Sequence, residues 1–184
     1  FAAELGSALR ELGRPVVNVS LDGFHHPRSV RYRRGRHSPE GFWLDSYDYQ
    51  SFSRHVLGPF GPGGSRRYRS AVHDVVTDDP VDSGWQTAPV GAVLVVDGLF
   101  VHRDELWGVW DFSVFLHAPF AVTAARLAER DGTHPDPEHP SIARYVEGQR
   151  LYFAACTPWR RADLIIDNSD ILRPTFTDVP GPSL

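Results

Sequence analysis

The chain has 184 residues and a formal net charge of −4, which gives no ground for general nucleic-acid affinity. Its single cysteine, Cys156, excludes an internal disulfide, no Cys/His spacing suits zinc, and no apolar run approaches the roughly 20 residues of a membrane span. With no signal-peptide pattern, a reducing cytoplasmic setting is the expectation. Methionine is absent and all 19 basic residues are arginine, so Phe1 is read as the start of a fragment or processed product. The length predicts one domain over 1–184.

Apolar residues at 1, 5, 8, 9 and 12 predict a helix over 1–13, with Gly13 as its stop. A buried strand is expected at 16–21. Residues 25–46 are basic and aromatic and read as a long functional loop rather than a core element. A short helix is expected from Tyr49 to Leu57, and turn chemistry at Gly58–Ser65. Arg67 to Val76 reads as extended, pairing near Pro80. A strand at 92–96, a short helix near 103–106 and a third strand at 112–116 follow. Ala121 to Arg130 reads as a helix after Pro119, and 131–140 as a lid loop. Ser141 is the expected N-cap of a helix running to Cys156. A fourth strand is expected at 164–167 and a tail at 170–184. Strands alternating with helices predict an α/β fold with a mostly parallel sheet.

Two strands end alike. VVNVSL runs into Asp22-Gly23, and AVLVV runs into Asp97-Gly98. Buried parallel strands deliver side chains this way to the carboxyl edge of a sheet, where ligands bind. Asp22 there could take a proton from a substrate hydroxyl or help hold Mg²⁺; Asp97 could orient Mg²⁺. The competing reading of each is a cap or turn aspartate. Arg126 and Arg130 share a helical face and could clamp phosphate oxygens, or simply face solvent. Tyr68 and His73 flank an extended stretch and could recognise a small polar ligand, or pack. The run 58–65 is rejected as a phosphate cradle: its prolines lack N–H donors and no G-K-[ST] follows. The adjacent His25 and His26 point to opposite sides of an extended segment, which disfavours a shared metal.

Taken in order, the segments VSLDGFHHP, SPEGFWLDSYDY, RYRSAVHD, VLVVDGLF, ARLAERD and RRADLIIDN resemble the uridine kinase-like branch of the P-loop kinases, which includes phosphoribulokinase and bacterial pantothenate kinase. The resemblance implies a three-layer α/β sandwich and ATP- and Mg²⁺-dependent phosphorylation of a small molecule, most simply uridine or cytidine. It implies Asp22 as base and Asp97 as Mg²⁺ organiser. Tyr68 and His73 would form the nucleoside pocket, joined by Arg144, Gln149 and either Asp45 or Asp48, with Arg126 and Arg130 as lid arginines on phosphate. Acceptors such as pantothenate or a sugar phosphate, and a non-catalytic ligand-binding relative, are the alternatives; a homo-oligomer is left open. The chain departs from the pattern in having no first strand and no G-x-x-x-x-G-K-[ST] loop. That strand would lie between the strands at 92–96 and 112–116, so a gap in the sheet is expected there.

Overall fold

The computed structural model describes residues 1–178. In chain order its helices are α1 (Ala2–Glu11), α2 (Arg28–Arg31), α3 (Pro39–Asp45), α4 (Tyr49–Phe52), α5 (Gly58–Phe60), α6 (Phe120–Asp131), α7 (Ala143–Cys156) and α8 (Pro158–Arg161). Its strands are β1 (Val16–Ser20), β2 (Arg67–Tyr68), β3 (Gln86–Thr87), β4 (Val93–Asp97), β5 (Val114–His117), β6 (Leu164–Asp167) and β7 (Thr175–Phe176). Contacts divide the chain into two compact units, one from Phe1–Arg31 and Asp45–Val101, the other from Tyr32–Leu44 and the chain from His102 on.

In the first unit β1 and β4 pair in parallel, from Val16 opposite Val93 to Ser20 opposite Asp97. The register follows from composition: both strands are runs of β-branched residues, which suit a pleated surface covered on its faces. Val17, Val19, Val95, Leu21, Phe24, Phe52, Val56 and Phe100 form the buried apolar set, with Phe24 and Phe52 edge to face at 5.2 Å. α1 packs on β1 and β4 through Gly6, over Asn18, whose amide donates to the Ala2 carbonyl at 3.0 Å. Gly6 is its buried residue, whereas Leu5 is 38% exposed and Leu12, the residue after the helix, 78%. The expected apolar face of this helix is not its buried face.

Three expectations change. The stretch 25–46 holds α2 and α3, and Phe42 is buried within it. Gly58-Pro59-Phe60 continues the helix through a π turn at Ser53–Leu57 rather than turning. The extended segment after Arg66 bridges His73 to Pro80 as expected, but its two-residue ladder is with Gln86–Thr87.

In the second unit β5 and β6 are parallel and β7 adds antiparallel to β6. β7 lies inside the segment 170–184 that the sequence reads as a tail; residues 179–184 of it lie outside the described residues. Phe120, Ala124, Ile142 and Val146 pack α6 against the start of α7, with Phe153 against them. α7 begins at Ala143 with Ile142 as its cap residue and no side-chain cap. Ser141 does not cap it: its hydroxyl meets His139 Nδ1 at 2.8 Å. No helix of the described residues is long and apolar enough to cross a membrane.

All four strands expected to be parallel are so, as two pairs. Within the first unit β4 is laddered to β1 alone among the described residues.

Candidate functional site

Asp22 and Asp97 stand at one end of the β1–β4 pair. Ser20, opposite Asp97 in the ladder, connects them: its hydroxyl donates to Asp97 Oδ2 at 2.9 Å and accepts from the Asp22 N–H at 3.3 Å. Ser20 is also the N-cap of a 3₁₀ turn, Leu21–Phe24. The capping oxygen satisfies one of the donors a helical start leaves free, and its proton is then available to a carboxylate. Asp22 and Asp97 are themselves exposed.

The glycine after each aspartate has a steric reason. A Cβ on Gly98 would stand 2.5 Å from Leu21 Cβ. A Cβ on Gly23 would stand 2.8 Å from Ala71 Cβ and 2.9 Å from the Ser70 carbonyl. Gly98 thus lets the two strand ends close on each other. Gly23 lets segment 70–73 lie against the Asp22 turn, where the Gly23 carbonyl accepts from the N–H groups of Val72 at 2.9 Å and His73 at 3.2 Å.

Asp22 has a partner that sequence reasoning missed. The Tyr47 hydroxyl donates to Asp22 Oδ1 at 3.0 Å. Tyr47 is held there by a short exchange of backbone bonds: the N–H of His26 to the Ser46 carbonyl, 2.9 Å, and the N–H of Asp48 to the Phe24 carbonyl, 2.8 Å. Burial, and then the negative charge of Asp22, push the Tyr47 phenol far above its ordinary value, so it stays a donor at any physiological pH. His25 lies over Tyr47 with ring centroids 4.4 Å apart and its Nδ1 is 2.8 Å from the Asp22 carbonyl; burial holds its pKa below the usual value. The signal for Tyr47 was its place in SPEGFWLDSYDY; nothing in the sequence paired it with Asp22.

His73 is buried, and neither ring nitrogen has a hydrogen-bond partner among the described residues. Its Nε2 lies 3.5 Å from Asp78 Oδ1, an oxygen that already accepts from the Arg28 N–H at 2.8 Å and from Arg31 at 3.2 Å. Burial pulls the Asp78 carboxyl up, but these donors outweigh it and hold its pKa low. A buried imidazole with free nitrogens is costly unless something pairs with it. Tyr68 is also buried, and its hydroxyl donates to Gln86 Oε1 at 3.0 Å. Asp45 ends α3 and is 2% exposed. Asp48 caps α4 by accepting from the Ser51 N–H at 2.8 Å.

The other candidates belong to the second unit. Arg126 donates to the Asn168 and Ser169 carbonyls, both at 2.9 Å, tying α6 to the end of β6. Arg130 is exposed and forms a two-pronged pair with Asp131 at 2.8 Å. Arg144 is buried; it donates to the Arg36 carbonyl and lies over the Tyr32 ring at 4.8 Å. The Gln149 side chain donates to the Tyr145 carbonyl within α7 at 3.2 Å.

For a divalent cation, the described residues contain no cluster of three His, Cys, Asp or Glu side chains. Mg²⁺ usually rests on one or two carboxylates plus phosphate and water oxygens, and the exposed Asp97 fits that smaller demand. The phosphates of ATP fit less well: no lysine and no G-x-x-x-x-G-K-[ST] loop occurs in the sequence to cradle them.

No family model matches the sequence, and no curated protein does. Solved structures do. A "Possible Uridine Kinase" from Bacillus stearothermophilus aligns at a TM-score of 0.67 and 20% identity, over 89% of this chain and 78% of that one. A protein called a fructose transport system kinase, from Silicibacter sp. TM1040, aligns at 0.65 and 23%, over 84% and 78%. Phosphoribulokinase from Rhodobacter spheroides aligns at 0.60 and 17%, over 89% and 63%. At these identities the likeness defines the fold. The chain has the mixed α/β fold, with parallel strands, that these three kinases share.

Proposed function

We propose that this chain carries the acceptor-binding groups and catalytic carboxylates of an ATP-dependent kinase for a small hydroxyl-bearing molecule, with a nucleoside as the first acceptor to test. The observation that carries the reading is the Asp22–Ser20–Asp97 arrangement beside a buried, unsatisfied His73. Tyr47 binds one oxygen of Asp22 and leaves the other open. That oxygen would take the proton of the acceptor hydroxyl as the hydroxyl oxygen attacks the phosphoryl group. Ser20 fixes Asp97, which would hold Mg²⁺; the cation would neutralise charge on the transferring phosphate. His73 would hydrogen-bond a polar edge of the acceptor. Catalysis would be mostly positioning and charge neutralisation.

A second reading keeps the kinase and changes the acceptor. The Tyr68 hydroxyl is engaged by Gln86, which weakens a role in binding a nucleoside, and two of the three structural neighbours have names that point to sugars. The deciding experiment is Mg-ATP-dependent phosphorylation of uridine, cytidine, pantothenate and a pentose phosphate. It is run on residues 1–184 and on a longer chain with the genomically encoded upstream residues. Turnover with one acceptor, lost in Asp22→Asn, supports the proposal. No turnover in either chain with any acceptor favours a non-catalytic ligand-binding role.

A further inference from the structure

Outside the aspartate cluster, the first unit has a groove of about 500 Å³ lined by Arg54, Gly58, Pro59, Ser65, Arg67 and Trp85. That volume is in the range of small-molecule sites. Its floor is rigid. The loop before β2 is tied back to the helix end by the Arg66 N–H, which donates to the Pro59 carbonyl at 2.9 Å, and by the Arg66 guanidinium, which donates to the Ala88 carbonyl at 2.9 Å. Arg66 takes φ +60 to do so, a left-handed conformation that costs energy for a non-glycine residue. The next residue, Arg67, then projects from the opposite face of the strand to the buried Tyr68.

The charge in this groove is one-sided. Arg54 and Arg67 are exposed and have no acidic partner among the described residues, in a chain whose net charge is −4. Arg67 and Arg69 stack on Trp85 at 5.1 and 4.9 Å, and of these two only Arg69 is neutralised, by Asp82 at 3.1 Å. The stacking fixes Arg67 without using its N–H donors. Ser65 accepts from the Arg67 N–H at 3.2 Å, and its own proton remains to donate. His55 stands beside Trp85 at 5.6 Å; burial first, then the charges of Arg69 and Arg54, hold its pKa low against the opposing pull of Asp48.

We propose that this groove is a phosphate-binding site, in which Arg54, Arg67 and the Ser65 hydroxyl converge on a phosphate group, borne free or on a small ester, with the Trp85 ring at its side. Two guanidinium groups and a hydroxyl match the charge and the many acceptors of a phosphate. The site does not use the catalytic aspartates and stands whether or not the chain is a kinase.

The test is calorimetric titration of the protein with inorganic phosphate, glycerol 3-phosphate and AMP at low ionic strength. Saturable binding is expected, weakened about ten-fold by Arg54→Gln and by Arg67→Gln, since each removes a charge-assisted contact. Arg54→Lys should restore part of the loss. Arg160→Gln, an exposed arginine of the other unit, should leave binding unchanged. AMP tighter than glycerol 3-phosphate, with the advantage lost in Trp85→Ala, would support the site and assign it a ring-bearing ester; equal binding would support it for the phosphate alone. Absence of saturable binding, or equal binding by the parent and both glutamine variants, overturns the proposal. Circular dichroism of each variant guards against misfolding as the cause.

Discussion

Replacing Gly98 by alanine tests the contact on which the aspartate cluster depends. The added Cβ would stand 2.5 Å from Leu21 Cβ and 3.3 Å from Leu21 Cδ2, whereas carbon atoms rest about 3.5–4.0 Å apart. Leu21 is fully buried and the nearer atom is its Cβ, which no rotamer change moves. Relief therefore requires the two strand ends to part by about 1 Å, the gap between those distances. That movement also stretches the 2.9 Å bond from Ser20 to Asp97. Overpacking costs about 1–3 kcal/mol and a weakened bond to a charged group up to about 1.5 more, so a loss near 3 kcal/mol is expected. With a urea slope of about 1–3 kcal/mol/M, the unfolding midpoint should fall by roughly 1–3 M. Leu21→Ala in the same chain should give no rescue, because alanine keeps the offending Cβ. An unchanged midpoint for Gly98→Ala, or rescue by Leu21→Ala, would refute the steric account of the Asp-Gly pairs.

Other outcomes follow from the same geometry. Ser20→Ala should cost about 1 kcal/mol of stability as a lost cap, read by thermal unfolding, and in a catalytically active chain should raise the Mg²⁺ concentration needed for half-maximal rate. Arg126→Gln breaks two bonds from a charged donor and should destabilise by about 2 kcal/mol; an unchanged stability with an altered KM for ATP would place Arg126 on phosphate instead. Stability should rise with pH through the histidine range. Burial lowers the pKa values of His102 and His117 in the fold, so the unfolded chain binds more protons as pH drops below 6.5, and the fold loses stability there; a flat profile between about pH 7 and 5 would contradict this. Cys156 is buried and burial pushes its thiol pKa up, so a thiol reagent should react with the native protein far more slowly than with the urea-unfolded chain.

The strands were legible because buried parallel strands are continuous apolar runs, and Asp22 and Asp97 were legible because each ends one. Their shared end of the sheet followed from parallel pairing. Tyr47 was not legible: the backbone exchange that brings it to Asp22 joins residues 24–26 to 46–48, and no periodicity in that basic, aromatic stretch announces it. Ser20 reads as a strand residue until the turn begins. The arginines are ambiguous in a different way. A guanidinium suited to phosphate is equally suited to backbone carbonyls, and Arg126 and Arg144 are used on carbonyls here. α1 likewise carries a leucine stripe, but a glycine and an asparagine make its contact.

The one-sided laddering of β4 has a consequence for handling the protein. Val93-Leu94-Val95-Val96 is β-branched or aliphatic throughout, uncharged and free of proline. Among the described residues its backbone donors and acceptors are matched along one flank only. Such a segment is a template for strand addition by another polypeptide, including a second copy of itself. Concentrated or warmed samples of residues 1–184 should therefore self-associate with a growing intermolecular β signal in the infrared amide band, and a short peptide spanning 92–97 should accelerate it.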